Sequence, residues 1–95
     1  MNTFNFNQMT PNEINKLIAA RIRDIRKRKK MSQKKLSEKS GVSLGSVKRF
    51  ESSGEISLIS LTKIAIALNC GNELEGLFEN TGFESIQEVI NEQNK

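Results

Sequence analysis

The side chains of this chain that can act on another molecule are overwhelmingly cationic, and they are concentrated in one stretch. Residues 21–50 hold twelve of the fifteen lysines and arginines against only Asp24 and Glu38, a local net charge of about +10. Residues 51–95 carry eight glutamates against Lys63 and Lys95, a net of about −6. A merely solvated helix surface intersperses both signs. A block of one sign is the footprint of a face that meets a polyanion, of which nucleic acid is the commonest. Covalent chemistry has little to work with: there is no histidine and a single cysteine, Cys70. Neither a glycine-rich phosphate loop nor metal-ligand spacing occurs. The expectation is a binding protein rather than an enzyme, with no catalytic residue, no metal and no cofactor. A lone cysteine suits a reducing, cytoplasmic compartment. No apolar run approaches the roughly 20 residues that cross a bilayer, so no membrane partner is expected.

The elements that must position these cations begin at Ser32, whose hydroxyl suits the N-cap of a helix ending near Ser40. Gly41 stops that helix and lets the chain reverse, because glycine takes positive φ without a Cβ penalty. Ser43 then caps a second helix. Leu36, Val42, Val47 and Phe50 fall on the inside of the angled pair, and Lys34, Lys35, Lys39, Lys48 and Arg49 are left outside. An apolar inner angle with a basic outer surface is what a helix-turn-helix needs to hold its second helix in a major groove.

Ser32-Gln33, Leu36, Gly41-Val42-Ser43, Val47 and Phe50-Glu51 followed by Gly54 resemble the Cro/C1-type (XRE) helix-turn-helix. The resemblance continues through Leu58, Leu61, Ile64, Ala65 and Leu68 to Leu77-Phe78, covering roughly residues 17–78. Ser37 departs from it, standing where the family has alanine, and residues 69–74 form a longer link than usual. The resemblance implies an all-α fold, a compact five-helix lambda-repressor-like domain, here with an additional C-terminal amphipathic helix. It also implies that Arg26 and Glu51 form a partly buried structural ion pair, and that Gln33 grips the nucleic-acid backbone.

Along the chain, residues 1–9 form an asparagine-rich arm with Phe4 and Phe6, either frayed or packed on a partner subunit. The body of the domain is residues 10–80, with the helix-turn-helix at 32–53. Thr10-Pro11-Asn12-Glu13 starts the first helix with a capping box. Ile14, Leu17, Ile18, Ile22 and Ile25 mark its inner face as far as the run from Arg26 to Lys30, which suits both the negative helix end and phosphate contact. Ser52-Ser53-Gly54 reads as a loop able to approach a phosphate. Ser57 caps a helix with a core stripe of Leu58, Leu61, Ile64, Ala65 and Leu68. Ile59 and Ile66 form a second strip, covered either by the C-terminal segment or by a dimer partner. Asn72 is expected to cap a short helix bearing Leu74, Leu77 and Phe78. Residues 81–95 read as a helical tail with Phe83, Ile86, Val89 and Ile90 on one face, able to dock on its own domain, on a twin or on another protein.

The first turn of the second helix of the motif enters the groove in such folds. Leu44, in that turn, can touch a thymine methyl, and Arg49, one turn on, is the one side chain of the set able to grip guanine O6 and N7 with two hydrogen bonds. Gly45 and Lys48 complete the expected base-reading set, Lys48 being equally readable as a solvated charge. Gln33, Lys34, Ser43, Ser46 and Ser53 form the phosphate-contacting set. Together these predict a sequence-specific double-stranded-DNA-binding regulator, a repressor acting as a homodimer on a palindromic operator with half-sites about 34 Å apart. The alternative is an antitoxin that represses its own operon while its acidic tail neutralises a toxin-type protein partner.

Overall fold

A computed structural model describes residues 8–80, so the arm over residues 1–7 and the tail over 81–95 lie outside the described residues. The five helices are α1 (Pro11–Arg28), α2 (Gln33–Ser40), α3 (Leu44–Ser53), α4 (Leu58–Ala67) and α5 (Gly71–Glu75). No strand occurs among the described residues.

Four of the five starts are set by a hydroxyl. Thr10 accepts from the Glu13 amide at 3.2 Å while the Glu13 carboxylate accepts from the Thr10 amide at 2.8 Å, with Pro11 at the first helical position. Ser32, Ser43 and Ser57 each accept from the amide three residues on, at 2.9, 3.1 and 3.2 Å. Each bond satisfies one of the donors that a helix start leaves orphaned.

The ends are more varied. Gly41 (φ 77°) and Gly54 (φ 84°) close α2 and α3 in the left-handed region. At the end of α1 the same turn is made by Lys30 (φ 57°), with Lys30 and Met31 amides donating to the Lys27 and Arg26 carbonyls. At the end of α4 it is made by Asn69 (φ 61°), with Asn69 and Cys70 donating to Ile66 and Ala65. That bond pair satisfies two carbonyls in each case, and it stops α1 at Arg28 rather than Lys30. Between α2 and α3 the Ser37 hydroxyl donates to the Val42 carbonyl at 2.6 Å, so the serine that replaces the family's alanine staples the turn.

α1 packs on α3, α2 on both α3 and α4, and α4 on α5. Their common core is Ala19, Ile22, Leu36, Val42, Val47, Phe50, Ile64 and Leu68, ringed by Ile18, Ile25, Met31, Ile56 and Leu61. Several expectations are corrected. Leu58 is 67% exposed, because it sits in the first turn of α4 at the rim of the bundle. Ile14 is also exposed, since α3 ends at Gly54 opposite Asn15 and the first turn of α1 projects past it. Leu17 lies at that rim, and the small Ala19, 1% exposed, fills the close contact instead. Ser52 and Ser53 belong to α3 rather than to a loop. Asn72 lies inside α5, whose cap position is Cys70 without a side-chain bond, and Leu77 and Phe78 fall beyond the helix.

At Gly54 the end of α3 lies against the backbone of α1. A Cβ there would lie 2.8 Å from the Asn15 carbonyl carbon and 2.9 Å from its Cβ, whereas one at Gly41 would meet nothing within 4 Å. Gly41→Ala is therefore expected to cost only the left-handed penalty, about 1–2 kcal/mol. Gly54→Ala adds a backbone clash and is expected to cost about 3 kcal/mol or more. Chemical denaturation of the two variants compares them directly; equal losses would show that the α1–α3 approach has slack.

Candidate nucleic-acid interface

The interface is built on α3. Val47 and Phe50 anchor it, at 0% and 1% exposure, and this turns Gly45, Ser46, Lys48, Arg49 and Ser52 toward solvent. At 100° per residue Gly45 and Ser52 occupy the middle of that outward arc, with Lys48 to one side and Arg49 to the other. A Cβ at Gly45 would meet nothing within 4 Å, so the centre of the arc is bare backbone. Leu44, half-buried, closes the arc on the Lys48 side.

What sets the angle of α3 is a buried network beneath it. Arg26 Nε and Nη2 donate to the two oxygens of Glu51 at 2.7 and 2.9 Å, a bidentate pair whose side chains are 9% and 4% exposed. The remaining terminal nitrogen of Arg26, Nη1, donates to the Met31 carbonyl at 2.7 Å, just before the Ser32 cap. Gln33 Nε2 then donates to Glu51 Oε1 at 3.0 Å. One arginine thus fixes the end of α3, the start of α2 and the link between α1 and α2. The acceptor-only carboxylate also dictates that the amide nitrogen of Gln33 faces it, leaving one N–H and the carbonyl to point elsewhere.

Arg23, Lys27, Lys48 and Ser52 line an open cleft of about 380 Å³ above this network, with Gln33 at its α2 edge. Lys34, Lys35 and Lys39 are exposed on α2. The positive face therefore runs from α1 across the start of α2 to the Lys48 side of α3. Arg23 and Lys27 share a face of α1 one turn apart, a spacing visible in the sequence but lost within a longer basic run. Gln33 and Glu51 lie eighteen residues apart, and no local period joins them.

The serines divide. Ser43 accepts from the Ser46 amide and donates to the Ser46 hydroxyl at 2.9 Å, so of the two only Ser46 keeps a proton to give. Ser53 donates to the Arg49 carbonyl at 2.7 Å and accepts from the Glu55 amide at 3.1 Å. It closes the end of α3, and the Gly54 amide donates to the Phe50 carbonyl at 2.8 Å, so the loop expected to offer backbone N–H groups to a phosphate is the last turn of a helix.

Burial by itself pushes the Glu51 carboxyl up. Hydrogen bonds from Arg26 and Gln33, with the charges of Arg26 and Arg23, outweigh that and hold it below its ordinary value of 4.5. A carboxyl depressed in the fold stabilises it fully above the unfolded value and loses that contribution as pH falls through the folded one. Acid should therefore weaken the domain below about pH 4.5 through this group. Glu51→Gln removes the titration and strands Arg26, at about 3 kcal/mol or more near neutrality. Denaturation midpoints taken across pH should fall less steeply below that point in the variant than in the parent; parallel curves would mean that other carboxylates govern the acid limb.

Among the described residues no group of three or more acidic, cysteine or histidine side chains could hold a metal ion, and no helix is long and apolar enough to cross a membrane. Comparison with curated proteins and with solved structures gives no match. A helix-turn-helix family model matches residues 22–71, just over half of the chain, and covers the last seven residues of α1, Arg26 among them, with both helices of the motif and all of α4. The outward arc of α3, the ion pair beneath it and this match converge: the chain belongs to the Cro/C1-type (XRE) helix-turn-helix family of DNA-binding transcriptional regulators.

Proposed function

We propose that the chain represses transcription by occupying a palindromic operator as a two-fold dimer, with α3 of each copy lying in the major groove. The observation that carries this reading is the outward arc of α3, bare at Gly45 and flanked by cations, at an angle fixed by Arg26 and Glu51. Arg49 reads a guanine through O6 and N7, and the partly exposed Leu44 meets a thymine methyl. Gly45 lets the helix backbone approach the base edges. Lys48, expected among the base readers, shares its cleft with Gln33 and Lys27, company that suits a phosphate, and it joins Gln33, Lys34, Ser43 and Ser46 in fixing register. Ser43 does so indirectly, by holding the start of α3 and the Ser46 hydroxyl, and Ser46 through its free proton. The alternative reading as an antitoxin places its masking segment in residues 81–95, outside the described residues.

Selection of bound fragments from a random duplex pool tests the proposal: it should return an inverted repeat with half-site centres about 34 Å apart. Arg49→Ala is expected to weaken the selected site by about 1–3 kcal/mol and to relax preference at one base pair, whereas Lys34→Ala should weaken all duplexes alike and reduce the salt slope by about 1. An unchanged site profile for the Arg49 variant would remove it as a base reader. Gly45→Ala separates folding from binding. It should raise stability by about 0.5–1 kcal/mol, since the helix prefers alanine and space is open, while weakening DNA binding. Affinity rising together with stability would show that the backbone does not approach the bases.

A further inference from the structure

We propose that the apolar groove between α4 and the segment following α5 receives the chain's own residues 83–90, as a helix with Phe83, Ile86, Val89 and Ile90 facing in. The groove has a volume of about 460 Å³. Leu58, Thr62 and Ile66 form its α4 wall, at a four-residue spacing that keeps all three on one side of the helix. Leu74, Leu77 and Phe78 lie across from them. Leu58, Ile66, Leu77 and Phe78 are each more than half exposed, and apolar side chains gathered in one hollow mark a binding surface.

Connectivity, length and charge select this occupant. Phe83 follows the groove residue Phe78 by five positions, so their Cα atoms are at most about 18 Å apart whatever path the chain takes. A segment tethered so closely meets the groove at an effective concentration in the millimolar range. A free partner at micromolar concentration, a second copy included, competes only by binding about a thousandfold more tightly. The lengths agree: at 1.5 Å per residue the wall from Leu58 to Ile66 runs about 12 Å, and a helix from Phe83 to Ile90 about 10 Å. At 100° per residue the four apolar side chains of that helix span an arc of about 120°, and Glu84, Glu88 and Glu92 fall together on the opposite side. Glu75 is the single charged residue lining the groove, so this orientation turns all three acids away from a like charge. So short a helix is marginal in water and needs a surface to form on. No residue of α1, α2 or α3 lines the groove, so the docked segment leaves the basic face uncovered, and the inference does not rest on the operator reading.

The test is amide hydrogen exchange of the full chain at concentrations about a hundredfold apart, for the parent, Ile66→Lys and Phe78→Asp, with sedimentation at each concentration. Both substituted side chains are more than half exposed, and aspartate tolerates the left-handed φ of 63° at position 78. The amides of α1–α4 should therefore keep their parental protection, which separates loss of docking from loss of fold. In the parent, residues 86–92 are expected to exchange about tenfold or more slower than a free peptide of the same sequence, equally at both concentrations. Each substitution should return them to the peptide rate. Peptide rates in the parent overturn the proposal. Protection that disappears on dilution together with a fall in mass assigns the contact to another copy and overturns it. Protection unchanged in both variants places the segment against a different surface and overturns it as well.

Discussion

The presentation of the basic face depends on one buried arginine. Arg26 reaches from α1 to Glu51 at the end of α3 and to the Met31 carbonyl before α2, so three backbone segments are referred to a single planar group. Well-packed apolar residues could give similar stability at such a site, because desolvating two charges offsets much of their attraction. What apolar packing does not give is direction. A guanidinium forked onto a carboxylate admits one relative orientation of the two groups, and Glu51 passes that orientation on to the amide of Gln33. With a net stability of about 5–15 kcal/mol for a domain, stranding either charge would consume a large part of it.

Local chemistry was legible where one residue both causes and marks the feature. Thr10 with Glu13, Ser32, Ser43 and Ser57 announce four helix starts, and Gly41 and Gly54 the two tightest ends. The ends of α1 and α4 were harder to place, because Lys30 and Asn69 accept the left-handed conformation that glycine would have advertised. In both, the bond pair across the turn makes up for the missing glycine, and that pair is not visible in residue types. Asn72 misled for the opposite reason: a good capping residue falls two positions past the cap, as the second residue of α5. Exposure at Ile14 and Leu58 depends on where the neighbouring element ends, which periodicity within one helix does not report.

The interface divides along the same line. Residues facing outward from a recognised motif, Lys34, Lys48 and Arg49 among them, follow from helical phase alone. Residues that act through tertiary contact do not. Ser52-Ser53-Gly54 reads as a loop in the sequence, yet its serines form the last turn of α3, and Gln33, expected to grip the nucleic-acid backbone, also donates to Glu51. Arg23 and Lys27 acquire meaning only when α1 is laid beside α3, where they wall a cleft with Lys48.

α3 itself has little reason to be a helix. Its sequence Leu-Gly-Ser-Val-Lys-Arg-Phe-Glu-Ser-Ser contains glycine, serines and a β-branched residue, all weak helix formers. It is held by the Ser43 cap, by the burial of Val47 and Phe50, and by the tie from Glu51 to Arg26. Each of these lies on the inner side or at an end. The outward positions Gly45, Lys48 and Arg49 consequently contribute little to the core, and they can differ between sequences without loss of fold. That separation is what a DNA reader requires: one side of a short helix is fixed by packing and charge, and the other is left free to specify a site.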